Sequence, residues 1–513
     1  MFDLIYKGSS SACFEWQNDL PYYCDEYKVL LDGNEVLTGK TNVFSLFGLA
    51  PDTEYTVTVM GSDCKMTFRT EKETCCVSVR DFGAVGDGKT NDTRAVQSAI
   101  NCLPAGGRLF FPAGNYLVSP LCMKSDTTLE LSGGAVILGI TDEDEYPLIP
   151  GELTDTVTGG AVQCGTWEGE PATMRQALIF GENLRNVRIV GQGTVDGNAQ
   201  NGEWWNDLDK RTVARPRLIF MNDCDGVYLH GITCQNSASW QLQPFFSRDV
   251  NVLDVKINAP KDSPNTDGFD PESCNGVNVI GTVISVGDDC IAIKSGRMYM
   301  GAKYKAPAEN HVIRNCLMQF GHGAVTLGSE MSGGVKNLTV NRCVFNATDR
   351  GLRIKTCRGR GNTAVIDGIT FENVIMDNVL TPIVMNMWYS HHDPKRVPKY
   401  IWDREPQPID ERTPYLGEFC FRGMKCTNCH NAAVYCDGLT EQPIRSVTLE
   451  DISFDYSANA EAGHPAMRVG MTDWVRRGMY FDNVGEVIVK NVVIDGCDGD
   501  EVEARHVGKL TRE

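Results

Sequence analysis

Long apolar segments are missing from this sequence. No run of roughly 18 apolar residues, the length that a membrane-spanning helix requires, occurs in the 513-residue chain. The first residues, MFDLIYKGSSSACF, contain an early aspartate and an apolar run that Lys7 interrupts, which does not fit a signal peptide. The sequence therefore predicts a protein with no membrane partner, and a cytoplasmic location is expected.

An excess of positive charge is also missing. The chain has 48 Lys and Arg against 67 Asp and Glu, which gives a net charge of −19 at pH 7. Nucleic acids and anionic membranes attract basic surfaces, so this balance argues against both as partners. An acidic substrate would have to be held by a local cluster of cations.

The 20 cysteines lack the paired pattern of a metal-binding module. Cys426 and Cys429 form a C-x-x-C pair with Cys420 nearby, but no second pair follows at the spacing of a zinc site. The other cysteines are scattered through strand-like segments, where a free thiol behaves as a small hydrophobe. We expect reduced and mostly buried cysteines, with zinc as an alternative.

Helical patterns are absent between the strand-like segments of the second half of the chain. An apolar β-branched triplet, a Gly or Asn turn and a second short strand recur, as in VYLHGITCQNS, VNVIGTVISVG and VKNLTVNRCVF. The units start near residues 227, 250, 277, 311, 335 and 366, so the spacing varies while the core pattern stays the same. This pattern excludes βαβ folds and predicts an all-β parallel β-helix with one coil per repeat.

Residues 1–74 predict a separate small β-sandwich in front of a second domain at residues 75–513. Short β-rich segments such as CFEW, EYKVLLDG and EYTVTVMG alternate with turns in this first part. Residues 49–55 (LAPDTEY) resemble the tyrosine-corner region of fibronectin type III domains, where a Tyr hydroxyl bonds to backbone a few residues upstream. We expect a packing or spacer module, with a role in shaping the substrate cleft as the alternative.

A glycine-rich stretch at residues 81–93 precedes a short helical pattern. The stretch resembles the entry segment of pectin-active right-handed β-helices, and it does not follow the strand that a phosphate loop requires. A helix here would cover the open end of the coil, where strand edges would otherwise be unpaired. The expected apolar face consists of Ala95, Val96, Ala99, Ile100 and Leu103.

Polar side chains recur at coil spacing between residues 267 and 355. The aspartates lie in the segments NTDG and GDDC, the histidine in GHG and two cations in RIK. On a parallel coil, equivalent positions line up, so we expect these side chains to form one stripe. The candidate catalytic residues are Asp267, Asp288, Asp289 and His322, and the candidate substrate-binding residues are Arg353 and Lys355.

This stripe suits the hydrolysis of an acidic polysaccharide. Glycoside cleavage needs one carboxylic acid that protonates the departing oxygen and a second carboxylate that activates water. Crowding of three carboxylates raises the pKa of at least one of them, which leaves a proton for the acid role. Arg353 and Lys355 offer a local anchor for a substrate carboxylate. No cofactor is called for, because the carboxylates perform the proton transfers.

With these motifs in order, residues 76–513 resemble the polygalacturonase family, family 28 of the glycoside hydrolases. The resemblance implies a right-handed parallel β-helix that hydrolyses galacturonan with inversion. It implies that Asp288 is the general acid and that Asp267 and Asp289 activate water. The general rule expects inverting carboxylates about 6.5–9.5 Å apart, whereas stacking on adjacent coils predicts nearer 5 Å.

The same resemblance implies roles for the remaining candidates. His322 would assist catalysis, Arg353 and Lys355 would bind the galacturonate carboxylate, and Tyr389 best matches the family's substrate-binding tyrosine. The GHG and RIK segments favour polygalacturonate over a rhamnogalacturonan backbone. Trp204, Trp205, Trp240 and Trp388 are further candidates for stacking on sugar rings.

Three insertions favour action at chain ends. Residues 140–180, 298–310 and 386–416 are long loops that would close one end of the groove, and a sandwich module is a feature of some bacterial exo-acting relatives. Endo action and a rhamnogalacturonan or xylogalacturonan substrate remain alternatives. A calcium-dependent pectate lyase and a non-catalytic β-helix are more distant ones.

Overall fold

The computed structural model describes all residues from 1 to 513, and its first seven strands form two antiparallel sheets. One sheet contains Phe2–Lys7, Ser11–Trp16 and Val43–Phe47, and the other contains Tyr23–Leu31, Asn34–Thr41, Glu54–Val59 and Lys65–Arg69. We call residues 1–74 the N-terminal module. The sheets enclose an apolar core of their own, which includes Phe14, Val29 and Phe44.

The tyrosine-corner hydrogen bond of this module is present. The Ala50 N–H donates to the Tyr55 hydroxyl oxygen over 2.8 Å, five residues upstream of the tyrosine. The resemblance of the module to fibronectin type III domains stays a prediction.

From Cys75 onward the chain winds into a parallel β-helix, which confirms the predicted fold class. Each coil contributes strands to three columns of parallel strands. The first column contains Cys75–Ser78, Gly107–Phe111, Thr127–Leu131, Arg185–Gly191, Asp225–His230, Arg248–Leu253, Asn275–Ile280, Ala308–Arg314, Val335–Asn341 and Val365–Glu372. The second contains Asp87–Asn91, Gly114–Val118, Ala135–Gly139, Thr194–Asp196, Thr233–Gln235, Lys256–Asn258, Val283–Ser285, Leu317–Gln319, Val344–Asn346 and Ile375–Asp377. The third contains Leu121–Cys122, Ile179–Glu182, Ile219–Asn222, Leu242–Phe245, Ile291–Ile293, Val325–Gly328, Arg350–Lys355, Thr381–Asn386 and Ala432–Asp437.

The last coils are built from longer strands that run through the corners between columns. These strands are Tyr415–Leu416, Glu418–Cys429, Ile444–Tyr456, Arg477–Asp495 and Val502–Arg512. Inside the coil the β-branched positions of the repeat stack on one another. Val252, Val279, Ile313 and Val340 are paired in consecutive strands and are fully or almost fully buried. Their burial in one continuous apolar core stabilises the stack of coils.

Cys426 and Cys429 belong to this core rather than to a surface metal site. Both are buried within the strand Glu418–Cys429 and pack in the apolar interior of the coil. All 20 cysteines are free, and most of them are buried. The structure thus agrees with the expectation that they act as small hydrophobes.

A helix covers the N-terminal end of the coil. It spans Thr93–Cys102 and buries Val96, Ala99 and Ile100, as the apolar pattern predicts. Residues 83–90 match the letters G-x-x-x-x-G-K-T, but Lys89 and Thr90 lie in the strand Asp87–Asn91, so the segment is not a phosphate loop.

The remaining helices are short. The α-helices are Met298–Tyr304 and Lys399–Trp402, and the 3-10 helices are Val79–Phe82, Glu143–Glu145, Ala199–Asn201, Leu208–Lys210 and Pro394–Arg396. None of the helices has the length and apolar character needed to cross a membrane.

The insertion at residues 140–180 folds into small antiparallel pairs and contacts the helix Met298–Tyr304. The pairs are Leu148–Ile149 with Met174–Arg175, Glu152–Thr154 with Ala161–Gln163, and Thr166–Trp167 with Glu170–Pro171. Glu152 accepts hydrogen bonds from Lys303 at 2.7 Å and Tyr304 at 3.0 Å. Glu168 pairs with Arg297 at 2.9 Å. Two of the predicted insertions therefore form one wall, which we call the insertion wall.

The N-terminal module lies along the side of the β-helix. Glu15 is 6% exposed and accepts hydrogen bonds from Arg314 at 2.8 Å, Arg342 at 3.0 Å and Asn315 at 2.6 Å. Ser45 donates to Asp254 at 2.6 Å, several coils earlier. These polar contacts hold the module against successive turns of the first strand column.

Candidate active site

Three aspartates meet at the floor of a cleft on the third strand column. One carboxylate oxygen from each of Asp267, Asp288 and Asp289 lies within 4.8 Å of the other two. The cleft has a volume of about 540 Å³, and its lining also includes His322 and Tyr389. The close carboxylate spacing predicted from stacked coils is therefore present, and all candidate site residues lie in one cleft.

The charged residues converge without sharing one column, so the prediction of a single stripe is wrong. Asp289 is level with Gly323 on the next coil, whereas Arg353 pairs with Thr326. Arg353 is therefore three positions further along the strand direction than the residue directly above Asp289. Its side chain reaches diagonally back to the carboxylate.

Gly323 makes that diagonal contact possible. A Cβ atom at this position would lie 3.0 Å from Asp289 Oδ1, 3.3 Å from Arg353 Cβ and 2.2 Å from Thr326 Oγ1. Real Cβ atoms do not approach neighbours as closely as the last distance. The glycine of the GHG segment thus leaves the space through which the cation and the carboxylate meet.

Asp289 is a buried carboxylate with two cations bonded to it. Arg353 Nη1 donates to Oδ1 at 3.0 Å, and Lys355 Nζ donates to Oδ2 at 2.9 Å. Burial alone would raise the pKa of Asp289, but Lys355 and Arg353 outweigh it and hold that pKa well below its usual range. These two cations therefore favour the ionised form of Asp289.

Asp267 has the opposite environment. Its side chain is 4% exposed, and burial followed by the nearby carboxylates Asp288 and Asp270 raises its pKa well above the usual range. The nearest cation, Lys294, is 3.8 Å from Asp267 Oδ2. Neighbouring carboxylates in one cleft thus have pKa values that are pushed apart, a common feature of sites that need both an acid and a base.

His322 is oriented by Asp349, a residue that the sequence did not single out. The two side chains form a hydrogen bond of 2.7 Å between Nδ1 and Oδ2. This bond, with a smaller contribution from Asp288 and against the effect of burial, raises the pKa of His322. Asp349 follows His322 by one coil, so the repeat spacing that linked the other residues could have identified it.

The aromatic candidates divide into cleft and core. Tyr389 lines the cleft beside Lys355, whose Nζ lies 5.9 Å from the ring centre. Trp204 and Trp388 are buried, so the expectation that they stack on sugar rings is wrong. Trp240 is 3% exposed and stacks at 5.6 Å on Trp167 of the insertion wall. Of this pair, Trp240 lines the cleft.

Sequence reasoning also missed a set of charged residues around the candidate site. Lys294 is buried below the aspartates, two coils before Lys355 in the strand ladder. Apart from Asp349, the others lie in loops whose course the repeats did not predict. The charged cleft residues absent from the sequence prediction are Glu168, Lys294, Arg297, Glu330, Asp349 and Arg360.

The three clustered carboxylates have a spacing that would admit a cation. Both oxygens of Asp289 are already hydrogen-bonded to Arg353 and Lys355, and Asp267 lies beside Lys294. Positive charge at this cluster is thus supplied by side chains. The donor set fits a protein-compensated carboxylate cluster better than a dedicated ion cage, which would offer several free oxygens.

A parallel β-helix with clustered carboxylates and cations in a polar cleft is characteristic of polysaccharide-cleaving enzymes. The chain belongs to glycosyl hydrolases family 28, whose family model matches residues 112–466. It is therefore a glycoside hydrolase, and the predicted membership of this family is confirmed.

Similar curated proteins include plant and bacterial enzymes. A probable polygalacturonase of Vitis vinifera is 32% identical over 397 residues, which cover 75% of this chain and 75% of the relative. The exo-poly-alpha-D-galacturonosidase of Dickeya chrysanthemi is 27% identical over 377 residues, covering 64% of this chain and 60% of the relative.

Two solved structures share the fold. The family 28 exopolygalacturonase of Yersinia enterocolitica superposes with a TM-score of 0.72 at 20% identity, covering 99% of this chain and 98% of that protein. The exopolygalacturonase of Thermotoga maritima gives a TM-score of 0.64 at 24% identity, covering 83% of this chain and 93% of that protein. The first similarity includes the N-terminal module as well as the coil.

Proposed function

We propose that this protein hydrolyses α-1,4-galacturonosidic bonds in polygalacturonate or oligogalacturonides. The observation that carries the proposal is the ionised Asp289 held between Arg353 and Lys355 beside two further carboxylates. A uronate polymer is repelled by a protein of net charge −19, so binding requires cations at the bond to be cleaved. Arg353 and Lys355 offer these cations next to the groups that transfer protons. The names of the relatives support the same substrate class.

The proposed mechanism divides the labour among the three aspartates. Asp288 protonates the departing glycosidic oxygen, and Asp289, whose ionised form Lys355 and Arg353 favour, accepts the proton of an attacking water. Asp267 shares that role once it has lost its own proton. The proposed outcome is inversion, although one oxygen of each carboxylate lies within 4.8 Å of the others, closer than the general rule for inverting enzymes.

Exo action is the proposed mode, because the insertion wall stands across the cleft. Glu168 and Arg297 both line the cleft and pair with each other at 2.9 Å. The same wall is anchored behind by the contacts of Glu152 with Lys303 and Tyr304. A groove closed in this way accepts a chain end more readily than a chain interior. In this proposal residues 75–513 form the catalytic domain and residues 1–74 a supporting one.

The test is product sizing with polygalacturonate as substrate and rhamnogalacturonan in parallel. The proposal predicts galacturonate or a short oligomer of constant size from the first minutes, slow loss of viscosity and no release from rhamnogalacturonan. Mixed oligomers with a rapid fall in viscosity would replace exo by endo action. Product with an unsaturated ring, abolished by a chelator, would replace hydrolysis by elimination.

A matched pair of variants examines the wall itself. Glu168→Ala removes a cleft-lining partner of Arg297, whereas Glu35→Ala removes an exposed ion-pair partner in the N-terminal module. The first is expected to lengthen the early products, and the second to leave them unchanged. Unchanged products from Glu168→Ala would contradict the proposed role of the wall.

A further inference from the structure

Lys294 occupies a position that hydrolysis as described above does not use. Its ammonium group is 4% exposed and has three carboxylates around it. Asp270 Oδ1 lies at 3.2 Å, Glu330 Oε2 at 3.5 Å and Asp267 Oδ2 at 3.8 Å. A buried cation shared among three anions cannot neutralise all of them equally. Its position therefore contributes to how easily each of these carboxylates ionises.

The strand ladder explains why the lysine is held below the cleft. Lys294 is level with Gly328 on the next coil and with Lys355 on the one after it. Because glycine stands between the two lysines, no side chain separates their ammonium groups along the ladder. Lys294 thus supplies charge from beneath, whereas Lys355 bonds to Asp289 from above.

One side of Lys294 is closed by an aromatic ring. Its Nζ lies 4.3 Å from the ring centre of Trp240, and the Arg217 guanidinium lies at the same distance from that ring. Trp240 in turn stacks on Trp167. These rings restrict access of water, so the charge of Lys294 is poorly screened at the neighbouring carboxylates.

The groups that face Lys294 come from several coils. Burial, offset by Lys294, raises the pKa of Asp270 to about 7, and burial has the same effect on Glu272 of the preceding coil. Glu330 differs: burial opposes its ionisation, yet Lys294 and then Lys355 lower its pKa to about 2. The other charged groups nearby are Arg217 and Asp289.

Below neutral pH, Glu330 is therefore the ionised competitor of Asp267 for the lysine. Asp270 and Glu272 are largely protonated there, because their pKa values lie near 7. The negative charge of an ionised Glu330, 3.5 Å from Lys294, offsets the stabilisation that Lys294 gives to an ionised Asp267 at 3.8 Å. The balance between these two contacts sets how strongly Asp267 retains its proton.

We infer that Lys294 is a positioning residue that sets the protonation of Asp267, and that Glu330 opposes it by competing for the same charge. This inference rests on the proposed function, in which Asp267 joins Asp289 in activating water once it has lost its proton. It assigns an electrostatic task to two residues that need not touch the reacting bond. It also requires opposite effects from removing the two charges.

The experiment measures kcat/KM against pH on polygalacturonate for the full chain and two variants. The acid limb of this profile reports ionisation of the base in the free enzyme. Lys294→Met removes the cation, so the pKa of Asp267 rises and the acid limb moves to higher pH by about one unit or more. Glu330→Gln releases Lys294 toward Asp267, so the limb moves to lower pH. If Lys294→Met does not fold, Glu330→Gln carries the test by itself.

The matched control is Glu441→Gln. Glu441 is a buried carboxylate paired with Arg358 at 2.6 Å and is outside the catalytic cleft, so its variant should keep the wild-type acid limb. Opposite shifts for the two test variants support the inference. Unshifted limbs, or shifts in the same direction, overturn it while leaving the proposed function intact. Wild-type protein that releases nothing from polygalacturonate would overturn the proposed function and this inference with it.

Discussion

Nδ1 of His322 lies 2.7 Å from Oδ2 of Asp349, which follows one coil later in the chain. The contact fixes one ring nitrogen and leaves Nε2 as the remaining one for the cleft. It also raises the pKa of His322, so the protonated imidazolium persists to higher pH than in an isolated histidine. Asp349 thus favours a charged imidazolium beside the three clustered aspartates.

Asp349→Asn is expected to move the alkaline limb of the kcat/KM profile to lower pH. A histidine with a raised pKa keeps its charge below that pKa and loses it as pH rises through it, so removing the carboxylate brings this loss to lower pH. The profile on polygalacturonate measures the shift.

The control for that variant is Asp482→Asn. Asp482 pairs with His506 at 2.8 Å outside the cleft and offers the same geometry without the same neighbours. An alkaline limb that stays in place in Asp349→Asn, or that moves equally in both variants, would contradict the role assigned to Asp349.

Asp288→Asn and Asp267→Asn should respond differently to the leaving group. On polygalacturonate, loss of Asp288, the proposed general acid, should lower kcat by about 1000-fold, within the usual range for acid–base catalysis. On a para-nitrophenyl galacturonide, whose leaving group needs no proton, Asp288→Asn should recover most of its activity and Asp267→Asn should not. Recovery by Asp267→Asn instead would exchange the two roles.

Gly323→Ala is expected to reduce activity without unfolding the protein. The added methyl group would crowd Asp289, Arg353 and the Thr326 hydroxyl, and so displace the ion pair. A misplacement of about 1 Å in such a site costs on the order of 100-fold in kcat. Gly133→Ala is the matched control, because a Cβ atom there meets nothing within 4 Å. Equal activity of the two variants would show that the pair tolerates the methyl group.

The sequence predicted the coil and the site for the same reason, because the strand triplets and the polar motifs both recur at coil spacing. The β-branched triplets indicated the parallel β-helix, and the motif spacing brought His322 and Arg353 to the same cleft as the aspartates. Lys294 and Glu330 were missed because their contacts depend on the ladder register between coils. That register cannot be read where loops of different length separate the strands. The sequence predicted where the insertions of the wall lie. It did not predict the Glu168–Arg297 ion pair, because that contact depends on how two distant loops fold against each other.

Glu15→Gln should weaken the attachment of the N-terminal module. The variant leaves the Arg314 and Arg342 guanidinium groups without their carboxylate in a largely buried interface, at a cost of about 3 kcal/mol. Thermal unfolding should begin at lower temperature, and proteolysis near residues 70–74 should become faster. Glu35→Gln, in an exposed pair with Lys28, should change stability by less than about 1 kcal/mol. Equal proteolysis of the two variants would contradict the prediction.

The path of the N-terminal module has a consequence for how the solenoid unfolds. Its contacts reach from Arg108, which pairs with Glu73, to Arg342, which pairs with Glu15. In a free solenoid each coil touches only its neighbours, so melting can start at one end and travel one repeat at a time. The N-terminal module acts as a lateral brace, because it contacts many coils at once. Unfolding of one coil therefore also disturbs the module's contacts with distant coils. Fraying from the ends is therefore suppressed over this span, and the coils that carry Asp267 and Asp289 are expected to open only together with the brace.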